Sequence, residues 1–147
     1  EGQGAIIFMS SLFGYQGVPI VANYSASKAY ILALGEALYV ELGPMGVDVL
    51  VVAPGLTDTA MPAAMPVNFS KMPITKHKPE RVARATLSAL GRRATKVPGL
   101  LNWIYAFENR FIPRLWPTRL FGFLLKRALS KEDRARLLNT HRKGVLK

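Results

Sequence analysis

The 147-residue chain contains no cysteine. Disulfides and thiolate-bound metals are therefore excluded, and a reducing, cytoplasmic setting is compatible with this though not required by it. Histidine is nearly absent. His77 and His141 are the only two, too few for a multi-histidine metal centre, so no metal is expected. Both are read as surface residues. A membrane span is also missing. Residues 2–27 carry no charge, but Gln3, Ser10, Ser11, Gln16, Asn23 and several glycines make that stretch unsuitable for hydrocarbon. No basic start followed by an apolar core marks a secretory signal, and no internal repeat is visible.

Charge of one sign is scarce in each part. Residues 1–70 hold one basic residue, Lys28, against five acidic ones, whereas residues 71–147 hold nineteen basic and four acidic. This asymmetry suits a partner surface for the second part, or simply a solvated basic face. Half of the residues are apolar, enough to build a core in a single domain.

Residues 4–10 form a continuous apolar run of strand length, as in a parallel strand covered on both faces. Residues 12–23, with Gly14, Gly17 and Pro19, read as a loop. Residues 24–42 are rich in Ala, Leu, Ile and Glu and read as a helix ended by Gly43-Pro44. Ala26, Ala29, Ala33 and Ala37 line one stripe of it, suited to its own sheet or to another helix. Residues 46–53 are a second buried strand, completing a βαβ unit. Residues 56–78, rich in Met and Pro, are read as a lid over an apolar substrate rather than a loose linker. Pro79-Glu80 opens another helix that Gly91 ends, with Val82, Thr86, Ala89 and Leu90 facing inward. Residues 94–98 suit a short last strand.

In a βαβ unit, ligands bind beyond the carboxyl ends of the strands. Ser11 follows the first strand and Pro54-Gly55 the second. Tyr24 and Lys28 are four residues apart, hence on one helix face. A neutral phenol is a poor acid or base at pH 7. A neighbouring ammonium favours the phenolate and would let Tyr24 exchange a proton with an alcohol or ketone. Tyr-x-x-x-Lys alone is weak. The full constellation is not: Ile6-Ile-Phe-Met-Ser-Ser-Leu-Phe-Gly14, Tyr24-Ser-Ala-Ser-Lys28 and Ala53-Pro-Gly-Leu-Thr-Asp-Thr59, in that order.

With these motifs the chain resembles the short-chain dehydrogenase/reductase family, closely over residues 4–60 and more loosely over 61–98. The resemblance implies an α/β fold. Residues 1–98 would be the C-terminal half of a Rossmann-like, doubly wound parallel sheet, and 99–147 a basic, aromatic helical extension. It implies hydride transfer between NAD or NADP and a carbonyl or alcohol carbon, with Ser11, Tyr24 and Lys28 catalytic. Tyr24, Lys28, Pro54, Gly55, Leu56, Thr57 and Thr59 would contact the cofactor. It also implies that the helix over 24–42 often pairs with a second subunit. The pattern departs from the family in one respect: no glycine-rich strand-to-helix turn occurs in these residues. The expectation is therefore an N-terminally truncated fragment, inactive alone. The apolar lid and aromatic tail lean towards a lipid-like ketone.

The tail supplies two apolar stripes, one of Leu100, Trp103, Ile104, Phe107 and Phe111, the other of Leu120, Phe121, Leu124, Leu125, Ala128 and Leu129. Arginines and lysines lie beside them. Such helices dock on their own domain or a partner, or lie in a membrane surface, here over 99–129. No nucleic-acid module accompanies the charge, so no nucleic-acid partner is expected. Ser130 to Asp133 has capping-box spacing before a last basic helix. Two further readings stand beside the enzyme: a non-catalytic docking or dimerisation module, and a peripheral membrane protein.

Overall fold

A computed structural model of the chain describes residues 4–63, 67–72, 74–108, 111–130, 132–133 and 135. His141, Met65, Pro66, Pro73, Arg110 and most of the last basic helix lie outside them. Strand β1 (Gly4–Met9) leads into a short 3-10 turn, then helix α1 (Ala22–Leu42), strand β2 (Val47–Val52), and the four-residue helix α2 (Ala60–Ala63). Helix α3 (Pro79–Leu87), strand β3 (Thr95–Lys96), and helices α4 (Leu100–Glu108) and α5 (Leu115–Ala128) follow.

The three strands form one parallel sheet in the order β1-β2-β3, with Ile6 beside Val49 and Val51 beside Thr95. β2 is central, and Val49, Leu50, Val51 and Val52 are buried. Successive strand residues face opposite sides. Leu50 and Val52 pack on Val82 of α3 and on Ala89 just beyond its end. Val51 and Phe8 face α1 at Gly35, where a Cβ would collide with the Val51 side chain. The sheet is therefore covered by a helix on each face, a partial Rossmann-like α/β arrangement.

One expectation needs correction, and one alternative left open by the sequence is decided. β1 is not covered on both faces. It is an edge strand whose Met9 is 49% exposed, and Ile6 and Ile7 are exposed as well. Among the described residues only β2 flanks it, so its apolar sequence outruns the cover available. The alanine stripe of α1 also does not pack on the sheet. Ala26, Ala33 and Ala37 are exposed, while Ser25, Leu32 and Gly35 turn inward.

The helix ends follow local chemistry. α1 starts two residues earlier than its motif suggested, an ordinary uncertainty for frayed ends. After Leu42 a 3-10 turn at Gly43–Met45 leads to Gly46 at φ +75°, a left-handed position that Gly adopts without a Cβ penalty. α3 begins at Pro79 as its sequence predicts. The Ser130 hydroxyl accepts from the Asp133 backbone N–H at 3.0 Å, the expected cap.

A second core joins the tail to the front of the chain. Phe121, Leu125, Ala128 and Leu129 pack with Val18, Val67 and Met72. Val67 pairs with Leu129 in an antiparallel bridge. The second tail stripe, Leu120 apart, thus docks on the front of the chain. No helix among the described residues is long and apolar enough to cross a membrane.

Gly35→Ala should lower the unfolding free energy by about 1–3 kcal/mol, because the added methyl overpacks the α1–β2 contact. Urea denaturation followed by circular dichroism measures this, and an unchanged midpoint would show that the contact can relax freely.

Candidate active site

The carboxyl ends of β1 and β2 are stitched together. Ser10 N–H donates to the Val52 carbonyl at 2.8 Å, and Leu12 N–H to the Pro54 carbonyl at 2.9 Å. α1 is then locked to the same edge. The Ser10 hydroxyl donates to the Lys28 carbonyl at 2.7 Å, and Lys28 Nζ donates to the Met9 carbonyl at 2.8 Å. Gly14 permits this closeness. A Cβ there would sit 2.8 Å from the Lys28 carbonyl oxygen and 2.9 Å from Ser10 Oγ. The turn into α1 holds Ile20 at φ +76°, a strained conformation for a β-branched residue. Ser25 secures that turn: its hydroxyl accepts from Val18 N–H and donates to the Ala22 carbonyl.

Beside these strand ends lies a cavity of about 640 Å³. Ser11, Tyr24 and Lys28 line it together with Pro54, Gly55, Leu56, Thr57 and Thr59. All eight candidate residues therefore share one cavity. Lys28 Nζ lies 5.6 Å from the centre of the Tyr24 ring. Ser11 is buried and Tyr24 half-buried. Ser11 Oγ also accepts from the Phe13 N–H at 3.2 Å, which fixes its rotamer at the turn. The opposite wall is apolar, with Met61, Pro62, Phe69 and Ile74 from the Met/Pro-rich segment and Phe121 from α5. That segment packs against the domain and walls the cavity.

Sequence reasoning missed a polar cluster beneath the Pro54-Gly55 turn. His77 is not a surface residue; it is 6% exposed. Its N–H donates to the Leu56 carbonyl, and its carbonyl accepts from the Asp58 N–H, both at 2.9 Å. His77 thus pairs with residues 56–58 like a short strand and pins them. Its ring lies against Gly99, where a Cβ would meet Nε2 at 2.6 Å. Asn102, buried in α4, donates to the Pro98 carbonyl at 2.8 Å. A Cβ on Gly55 would strike the Asn102 amide at 2.5–2.7 Å. The glycine is required by Asn102 whatever binds above it. One signal was available: Asn102 is the lone polar residue in the run Leu100-Leu-Asn-Trp-Ile104. Nothing local marks His77, because its partners are brought by the fold.

Residues 1–68 match the short chain dehydrogenase family model. Among curated relatives, the peroxisomal 2,4-dienoyl-CoA reductase of Saccharomyces cerevisiae is 35% identical over 62% of this chain and 29% of its own length. A very-long-chain 3-oxoacyl-CoA reductase of Phaeosphaeria nodorum is 32% identical over 90% of this chain and 41% of its own. That alignment runs past residue 98, further than the motifs alone reach. Among solved structures, a 7beta-hydroxysteroid dehydrogenase superposes with a TM-score of 0.68 at 26% identity, covering 81% of this chain and 48% of that one. A short chain dehydrogenase from Burkholderia cenocepacia in complex with NADP gives 0.64 at 30% identity, covering 80% and 47%. The chain spans less than half the length of each of these proteins.

Burial, and secondarily the Arg81 guanidinium, hold the His77 pKa below its usual 6.5. The unfolded chain then binds more protons than the folded one as pH falls below 6.5. Stability is intact above that value and declines as pH drops towards the folded pKa. Urea titrations between neutral and mildly acidic pH should show this decline, and His77→Gln should flatten it. An equal slope in the variant would mean that other groups carry the effect.

Proposed function

We propose that this chain is the catalytic, C-terminal part of a short-chain dehydrogenase/reductase domain, acting on a carbonyl or alcohol substrate with NAD or NADP. The observation that carries the reading is the single cavity shared by Ser11, Tyr24, Lys28 and the Pro54–Thr59 turn. Site chemistry supports a nicotinamide end: the Lys28 ammonium, the Ser11 and Tyr24 hydroxyls and the loop from Pro54 to Thr59 line the cavity. No glycine-rich turn suited to the pyrophosphate occurs in the sequence, so the residues fit the nicotinamide side of a dinucleotide only. The exposed edge of β1 supports a sheet that continues in a further segment. When bound, the dinucleotide supplies or accepts the hydride.

The chain's own residues would handle the oxygen. In the reducing direction Tyr24 gives its phenolic proton to the substrate oxygen. Ser11 donates a hydrogen bond to that oxygen as negative charge develops there. Lys28, tied to the Met9 carbonyl, holds its ammonium beside the Tyr24 ring and would hydrogen-bond the nicotinamide ribose. Leu56, Thr57 and Thr59 offer backbone and hydroxyl contacts to the nicotinamide side.

The apolar wall of Met61, Pro62, Phe69, Ile74 and Phe121 favours a lipid-like substrate and excludes water, with the Met/Pro-rich segment serving as its lid. Two relatives named for acyl-CoA substrates lean the same way. The exposed alanines of α1 support close approach of a second subunit. A cysteine-free chain is in keeping with a cytoplasmic setting.

In a reductase completed by its phosphate-binding segment, Tyr24→Phe should lower kcat by about 10²–10⁴-fold and leave cofactor affinity nearly unchanged, read as NADPH oxidation with a 3-oxoacyl substrate. Unaltered turnover would overturn the role of Tyr24 as the proton donor, and no turnover in the parent protein would overturn the enzyme reading in favour of a docking module. The 147 residues alone should bind NADPH weakly by fluorescence titration. Tight binding would overturn the partial-domain reading and leave the catalytic roles intact.

A further inference from the structure

Helix α5 is apolar on two sides, and among the described residues only one of them is covered. At 100° per residue, Pro117, Phe121, Leu125 and Ala128 fall on the side that docks against Val18, Val67 and Met72. The opposite arc, about 120° wide by the same helical geometry, carries Trp116, Leu120 and Phe123 interleaved with Arg119, Lys126 and Arg127. Trp116 is 65% exposed and Phe123 57%, and Leu120 is exposed too. Arg127 stacks its guanidinium over the Phe123 ring at 5.7 Å, so cation and aromatic occupy the same face. Residues 111–130 contain no acid at all. In α4, the exposed Trp103 and Phe107 stack at 5.0 Å on another uncovered apolar face.

A helix with apolar residues on both sides requires a second cover. Contiguous exposed apolar surface of this kind marks an interaction site. The arrangement of charges selects the cover. A second copy of the chain would set Arg119, Lys126 and Arg127 against their own counterparts, with no carboxylate between them. An anionic lipid surface meets both demands, because acyl chains take the Trp, Leu and Phe side chains while headgroup phosphates take the cations. Such a helix would lie along the surface, since no helix among the described residues is long and apolar enough to cross one.

We propose that the outward face of α5, centred on Trp116, Phe123, Arg119 and Lys126, binds the surface of an anionic phospholipid bilayer. The assignment is independent of the reductase reading, because it uses none of the cavity residues. It sets that cavity, whose wall includes the inward-facing Phe121, next to a lipid phase.

Cosedimentation of the full 147-residue chain with phosphatidylcholine vesicles, with and without phosphatidylserine, tests it. Binding is expected with phosphatidylserine and is expected to fall on its omission or on added salt. The Arg119→Glu/Lys126→Glu variant should lose about fivefold or more per charge. Trp116→Ser/Phe123→Ser should lose about tenfold. Both alter exposed side chains, and matched circular dichroism melts verify the fold. Tyr30→Ser/Val40→Ser, which changes exposed apolar residues on α1, should bind as the parent does. The proposal is overturned if the parent chain stays in the supernatant, or if the α1 variant loses as much as the α5 variants. It is also overturned if sedimentation equilibrium reveals a dimer that Trp116→Ser/Phe123→Ser abolishes.

Discussion

Two hydrogen bonds run in opposite directions between the end of β1 and the early turns of α1. The Ser10 hydroxyl donates to the Lys28 carbonyl, and the Lys28 ammonium donates to the Met9 carbonyl. Together they fix how far α1 is rotated about its axis. Tyr24, one turn before Lys28, is then carried to the cavity with it. The pair closes only because Gly14 has no side chain in the way. A neutral hydrogen bond such as that of Ser10 contributes about 1 kcal/mol. Its larger role here is geometric: a rotation of α1 by one residue would turn both candidate side chains away from the strand ends.

The second strand end is held differently. The Pro54–Asp58 segment rests on a polar layer built from His77 and Asn102, which lie 19 to 48 residues further along the chain. Backbone hydrogen bonds from His77 give the loop a strand-like partner, and Asn102 fills the space that Gly55 vacates. Buried polar groups of this kind are costly unless paired. Their pairing restricts the loop to one arrangement, with Thr57 at the cavity wall.

The apolar content is unevenly spent. β2 is wholly buried, and a second core ties α5 to the residues after β1. β1 and the outer faces of α4 and α5 remain exposed although their sequences are just as apolar. An edge strand with unpaired backbone groups and a helix with two apolar faces are both surfaces built to be covered. The first calls for more sheet, and the second, with its arginines and lysines, for a charged apolar boundary.

Much of this was readable from local pattern. Apolar runs of strand length around an Ala- and Leu-rich helix specify a βαβ unit, because only parallel pairing with a helical crossover satisfies that order. Tyr24 and Lys28 share a face by helical periodicity, and Ser11 and Pro54-Gly55 fall at strand ends by topology. Pro79 and Ser130 mark helix starts through their own backbone and side-chain chemistry. The fate of each apolar stripe was not readable. Periodicity shows that a face is apolar, whereas what covers it depends on residues distant in sequence. Leu120 and Phe121 are adjacent in the chain, yet one faces solvent and the other the core. For the same reason His77 was expected on the surface. Residue type and spacing determined the elements and the shared cavity edge. Tertiary contact alone decided which faces are buried, that Asn102 and His77 support the loop, and that Lys28 is anchored to the Met9 carbonyl, because those choices rest on packing between segments that have no local relation to one another.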